Sequence, residues 1–425
     1  MTRYAGIRDN NICIISDSIF NNSNLRVVEV PKSLDNISSA KLMSEFKFKG
    51  CEFKSKNIVK LASDLKVALV SNYGGKCGIA TYSKFLFNEL VGKVADYKIF
   101  AEKIDLPESG APNINNDHVV QCWKRGGEIS ELVAAIKQYD PDIINIQHEF
   151  GIWPNARHWL SLMTQLSDYR VIITMHSVFP MHADKTIYEA AMPEIIVHLQ
   201  GAKDCLKNEK KVNAKIYVIP HGCYPIKDQT KLWNNYRSQH TFITSGFGFQ
   251  YKNFAESIKA AAILKSKYPD VFFTGLFSES PHNTMGHQAY YNELIKLIDD
   301  LNIHDNVAII RGFQSDSVMN TYLRSNNVGV FPYISIPGHE VFGASGAARL
   351  AMASGIPIIS TSIPHFSDMP TIKADTAEQI AKELDLLFSN PSLAKKQIEL
   401  QNTYIKENSW ETSAQRYINV FESSF

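Results

Sequence analysis

One pattern recurs along the chain and restricts its fold more than any other feature. A short apolar run ends on polar residues, a turn follows, and a helically spaced stretch comes next. LKVALVS (65–71) runs into the glycine-rich NYGGKCG and then IATYSKFLFNELVGKV. PDIINIQHEF (141–150), YRVIITMHS (169–177) and AKIYVIPHG (214–222) repeat the buried run with its polar end. Buried strands alternating with helices predict a parallel sheet covered on both faces. Ligands of such sheets bind beyond the carboxyl ends of the strands. Asn72, His148, Glu149, His176 and His221 all fall at such ends.

After His221 the rhythm restarts. TFITSGFG, DVFFTGLF, NVAIIRGF, NVGVFPY and IPIISTS read as five more strands separated by helices, the first of them NFAESIKAAAILKSKY. The expected fold is therefore α/β with two doubly wound domains, a division that 425 residues also favour. The expected bounds are an N-terminal appendage over 1–65, a first domain over 66–225 and a second over 226–408. KDQTKLWNNYRSQH, which lacks apolar periodicity, marks the crossing. A last helix over roughly 410–423, within the segment 409–425, is placed to reach back to the first domain. Within 1–65, NICIISDSIF and LRVVEVP read as strands and KFKGCEFKSKN as a solvated basic run without assigned chemistry.

Composition narrows the partners. A net charge of +1 offers no global attraction for nucleic acid. Six cysteines without a CxxC pair read as reduced thiols rather than a disulfide frame or zinc site. MTRYAGIRDNN lacks the apolar core of a signal peptide, and no apolar run reaches the ~18 residues that span a bilayer. The expectation is a soluble, cytoplasmic protein. The basic segment KDCLKNEKKVNAK (203–215) leaves peripheral contact with anionic lipid at the inner face of the membrane as an alternative to a plain solvated helix.

The stretch GHEVFGASGAARLAMASGIPIIST (338–361) carries the sharpest chemistry. Small residues at the start of a helix leave backbone N–H groups bare, and bare amides at a helix N-terminus attract phosphate. Ser345, Gly346 and Ala347 form this mouth, with Glu340 just ahead of it.

Four stretches together, GGKCGIATYSKFLFNEL, PDIINIQHEFGIW, VIPHG and the E…FG…AMASGIPIIST segment, resemble the retaining GT-B glycosyltransferases. This large group 1 family includes bacterial mannosyl- and glucosyltransferases, and the likeness covers about residues 66–423. It implies two Rossmann-like domains facing across a cleft, an acceptor domain first and a nucleotide-sugar donor domain second. It implies a UDP- or GDP-sugar donor, a glycan or lipid-linked acceptor, and neither a cofactor nor a catalytic metal.

The resemblance also implies roles for single residues. The Ser345–Ala347 amides would take the diphosphate, and Glu340 the hydroxyls of the donor sugar. Relatives carry glycine-arginine and then a lysine five residues after the arginine, both gripping the diphosphate. Here Phe247 stands at the arginine position and Lys252 at the lysine, with Arg311 as a second candidate cation. Relatives also place a second glutamate before Ala-Met-Ala to bind ribose. Here that position is Leu350, eight residues after Phe342, so Glu340 is displaced by two. Gly78, in the first turn, would let the acceptor domain close over the phosphates. His176 would face the donor sugar or acceptor. His148 and Glu149 would orient the acceptor, with Glu149 as a candidate base. His221 would serve the hinge or the phosphate side.

The implied reaction is transfer of a hexose to a hydroxyl with retained anomeric configuration. The alternatives are a sugar phosphorylase or nucleotide-sugar epimerase of the same fold, and a non-catalytic binding protein.

Overall fold

The computed structural model describes residues 61–104, 117–224, 239–279 and 284–423, and the backbone of three short strands near the start. These are β1 (Tyr4–Arg8), β2 (Asn11–Ser16) and β3 (Arg26–Glu29), an antiparallel sheet with β1 in the middle. The rest of 1–60, including KFKGCEFKSKN, lies outside the described residues.

The first domain is a parallel sheet of β4 (Lys66–Ser71), β5 (Asp96–Glu102), β6 (Val119–Trp123), β7 (Ile143–His148), β8 (Arg170–Met175), β10 (Glu194–Val197) and β11 (Lys215–Val218). A short β9 (Ser177–Val178) leaves this sheet. The order is β11-β10-β8-β7-β4-β5-β6, so the winding reverses beside β4. β7 and β8 are buried at every position, which explains their unbroken apolar runs. β5 and β6 sit at the other end, half-buried, and their sequences DYKIFAE and VVQCW are correspondingly mixed.

The second domain comprises β12 (Thr241–Phe247), β13 (Phe272–Ser278), β14 (Val307–Arg311), β15 (Val328–Phe331), β17 (Ile358–Ser360) and β18 (Ile372–Lys373), all parallel, in the order β14-β13-β12-β15-β17-β18. Apolar layers cover both faces of each sheet.

Two devices join the domains. β16 (Phe342–Gly343) pairs antiparallel with β9 of the first domain. Phe342 thereby packs into the first domain's apolar core. A Cβ on Gly201 would lie 2.6 Å from the Phe342 ring, so only glycine leaves room for it. The second device is the chain's return. Cys223 N–H donates to Asn408 O at 2.7 Å, and Trp410 N–H donates to Cys223 O at 3.2 Å. The helix Trp410–Glu422 then packs on the first domain with Trp410, Ala414, Tyr417 and Phe421 inward. Arg170 fastens its end by donating to the carbonyls of Phe421 and Val420 at 2.6 and 2.9 Å.

Candidate functional site at the domain seam

Ser345 caps the helix Gly346–Ala353. Its backbone is extended and its Oγ accepts the Ala348 N–H at 3.3 Å. Oγ also shares a hydrogen bond with the Tyr333 hydroxyl at 3.1 Å. The amides of Gly346 and Ala347 have no acceptor among the described residues. The mouth thus presents two free N–H groups at the positive end of the helix dipole, the arrangement that suits an anion. Gly346 is small for a local reason, since a Cβ there would sit 3.3 Å from His221 Nε2. His221 Nδ1–H donates to the Gly222 carbonyl at 2.8 Å, which leaves Nε2 as a lone pair beside the mouth.

Behind the mouth lies Arg349, wholly buried. It donates to the Ser345 carbonyl at 3.2 Å, to Asp368 at 2.5 Å and to the Tyr404 hydroxyl at 3.1 Å. Leu350 packs against an apolar layer of the second domain, so no side-chain hydrogen-bond acceptor stands at that position.

Lys252 ends a short turn after β12. It is 9% exposed, and its ammonium lies 3.7 Å above the Tyr333 ring and 4.9 Å from the Tyr251 ring centre. Among the described residues no carboxylate pairs with it. Burial alone pushes its pKa down to about 7. A buried cation facing only ring faces is costly in the empty protein and is relieved by an incoming anion. It is linked to the helix mouth through Tyr333, whose ring it faces and whose hydroxyl bonds Ser345 Oγ. At the arginine position of the resemblance, Phe247 packs near Phe249 and Phe313 and supplies no charge.

From the first domain, His176 reaches the seam. Its Nε2–H donates to Gln147 Oε1 at 2.8 Å, and its ring stands edge-on to Tyr82. Its carbonyl lies 3.2 Å from where a Cβ of Gly343 would be, which sets the histidine against the β16 strap of the second domain. Burial holds the ring neutral, well below its ordinary range, with His198 and His148 adding to the effect. Glu149 accepts from Ser177 Oγ at 2.5 Å and from its neighbour's amide, Phe150 N–H, at 3.0 Å. Burial raises its pKa, and its charge is felt by Tyr251 of the other domain.

Gly78 opens the helix Gly78–Leu90, and a Cβ there would meet nothing within 4 Å. Glu340 sits on the loop before β16. One of its oxygens takes a long bond of 3.4 Å from the Gly338 amide, and the other is buried without a partner.

Two expectations need correction. His148 does not point into the cleft. Side chains alternate along a strand, so Gln147, which bonds His176, takes one face of β7 and His148 the opposite one. There it is fully buried among Phe150, Trp159 and Tyr188, and burial pushes its pKa down to about 3. Arg311 is not a spare cation for the diphosphate. It lies on the edge strand β14, is paired with Glu279, and rests on the Tyr291 ring.

Sequence reasoning missed Gln147, Tyr251, Tyr333, Arg349 and His365. Only Gln147 had a local signal, the two-residue alternation of its strand. The others are joined by contacts between distant segments.

Residues 226–403 match the family model "Glycosyl transferases group 1", and residues 78–225 match "Glycosyltransferase Family 4". The two matches run without a break and meet at the crossing between the domains. No curated protein matches the sequence at a significant level. Among solved structures, a glycosyltransferase from Rickettsia africae superposes with a TM-score of 0.66 at 14% identity, over 85% of this chain and 98% of that one. Sucrose-phosphate synthase from Thermosynechococcus elongatus gives 0.66 at 17% identity, over 84% and 98%. HepE of Anabaena, solved with UDP and glucose, gives 0.62 at 12% identity, over 84% and 100%. Two glycosyltransferase family models thus match the two domains in turn, and the architecture is that of the GT-B fold.

Proposed function

We propose that this glycosyltransferase moves a hexose from a nucleoside diphosphate sugar to a hydroxyl of a glycan or lipid-linked glycan, with retention. The observation that carries the donor half is a helix mouth with two free amides, linked through Tyr333 to a buried lysine without a carboxylate partner among the described residues. Structural neighbours bind such donors. HepE was solved with UDP, and trehalose-6-phosphate synthase with UDP-2-fluoro glucose. Transfer with retention is described for the latter enzyme.

In the proposed step the C1–O bond to the phosphate breaks as the acceptor oxygen bonds to C1 on the same face. The acceptor's proton passes to a departing phosphate oxygen. Lys252 and the Gly346 and Ala347 amides stabilise the charge that develops on the diphosphate, so the step is written without a metal. Glu340 holds hydroxyls of the sugar, and His176 with Glu149 orients the acceptor. The closed seam keeps water from the activated carbon. Lys210 is ion-paired with Glu189 at 3.4 Å and buried, which takes one cation from those that segment 203–215 can offer to an anionic membrane. No described helix is long and apolar enough to cross a membrane.

Melting the protein with UDP-, GDP- and ADP-sugars tests this reading. One donor class is expected to raise Tm, since a ligand at 100 times its Kd stabilises by ~2.7 kcal/mol. Transfer from that donor should give a product whose anomeric proton keeps the donor's configuration. No shift with any donor and no turnover would contradict the proposal. Phe247 and Leu350, standing where relatives carry charged groups, favour a second reading as a binding protein, which predicts a shift without turnover.

A further inference from the structure

His365 was not singled out by any motif, yet it stands in the same notch as Lys252. It lies in the turn Pro364–Phe366 after β17, across from the turn after β12 that carries Lys252. Both side chains converge on one pair of rings. The imidazole lies over Tyr251 at 6.0 Å between centroids and edge-on to Tyr333 at 5.8 Å. The Lys252 ammonium faces the same two rings. His365 is 8% exposed, its Nδ1 is buried without a hydrogen bond, and no described residue bonds its Nε2. Nε2 points towards the strap, 3.7 Å from where a Cβ of Gly343 would be.

A buried polar ring without a partner is unfavourable, and a phenylalanine would fill the same aromatic pocket without that cost. The ring keeps one N–H to donate. Burial, with the Lys252 and Arg349 charges nearby, pushes its pKa down to about 3 and keeps it neutral. An ammonium and an imidazole, both without an acceptor among the described residues, therefore meet on the Tyr251–Tyr333 ring pair, and the Tyr333 hydroxyl leads on to Ser345 at the helix mouth. The cationic surroundings select an anionic acceptor over a sugar hydroxyl.

We propose that His365 binds the β-phosphate of the donor, sharing it with Lys252 across the Tyr251–Tyr333 ring pair. This rests on the donor site proposed above. His365 is then a donor-binding residue in its own right, and its N–H supplies part of what the missing arginine would have given.

The test compares nucleoside diphosphate with nucleoside monophosphate by calorimetry, using UDP and UMP, GDP and GMP, and ADP and AMP. The pair that the wild type binds is carried forward. His365→Phe is expected to weaken the diphosphate by about 10–100-fold and leave the monophosphate within about twofold, as for loss of one hydrogen bond to a charged group. His365→Gln, which restores a donor, is expected to recover most of the loss. Unchanged diphosphate affinity in His365→Phe, where Lys252→Ala weakens it, would overturn the role of His365 and leave the donor site standing. Equal losses for both nucleotides would mark a packing role and overturn it too. A wild type that binds no nucleoside diphosphate would overturn the donor site itself. Should His365→Phe fail to melt cooperatively, His365→Leu is read by the same criteria.

Discussion

Replacing Lys252 by methionine is expected to cut kcat/KM by about 10²–10³-fold while making the empty protein more stable. The two effects share one cause. The ammonium is buried to 9% exposure over ring faces, with no carboxylate partner among the described residues, and its pKa is pushed down to about 7. In the unfolded chain the same group titrates at its ordinary 10.5. Between these values the unfolded chain holds a proton that the folded protein has released. Wild-type stability therefore rises with pH across that window. Below about pH 7 both states are protonated and the cost of the buried charge is fully present. Methionine fills the space without the charge. The gain should be a few kcal/mol at and below neutral pH and should fade as pH approaches 10.5. Donor binding runs the other way, because only the protonated amine attracts the diphosphate. Affinity should fall as pH rises above about 7. Urea melts and donor titrations between pH 6 and 9 check both slopes. A Lys252→Met protein less stable than wild type, or one with near-normal turnover, would refute this role.

Arg349→Met should act in the opposite sense and destabilise the second domain by about 3–5 kcal/mol. The arginine is fully buried, and its loss would leave Asp368 beside Tyr404 without its cation. The Ser345 carbonyl would lose its side-chain donor and keep only the backbone N–H of residue 349 at 3.3 Å, so the helix mouth would loosen and donor affinity would fall with stability. Removing the carboxylate together with the arginine, in Arg349→Met/Asp368→Leu, should recover much of the stability. It should not recover the affinity, because the Ser345 clamp stays absent. Denaturant melts and calorimetry of the single and double variants measure both. A loss under about 1 kcal/mol in the single variant would show that the pair does not support the mouth.

Much of this architecture is legible in the sequence because the central strands are buried on both sides. IINIQH and RVIITM are apolar runs for that reason, and their polar ends fall at the seam. The helix mouth is legible too, since a serine cap followed by small residues is a local signal. β9 and β16, two residues each, are too short to show a period, so the strap that seats Phe342 beside Gly201 is invisible in one dimension. The pocket around Lys252 is assembled from residues near 251, 333, 345 and 365, which no local pattern joins. His148 does end its strand, but the alternation of side chains sets it on the face opposite Gln147, among Phe150, Trp159 and Tyr188.

The most direct measurement is a crystal structure of the protein with the nucleoside diphosphate sugar that raises its Tm. Diphosphate oxygens are predicted within about 2.7–3.2 Å of the Gly346 and Ala347 amides, with the Lys252 ammonium beside them. A donor seated in another cavity, with that notch empty, would contradict the account.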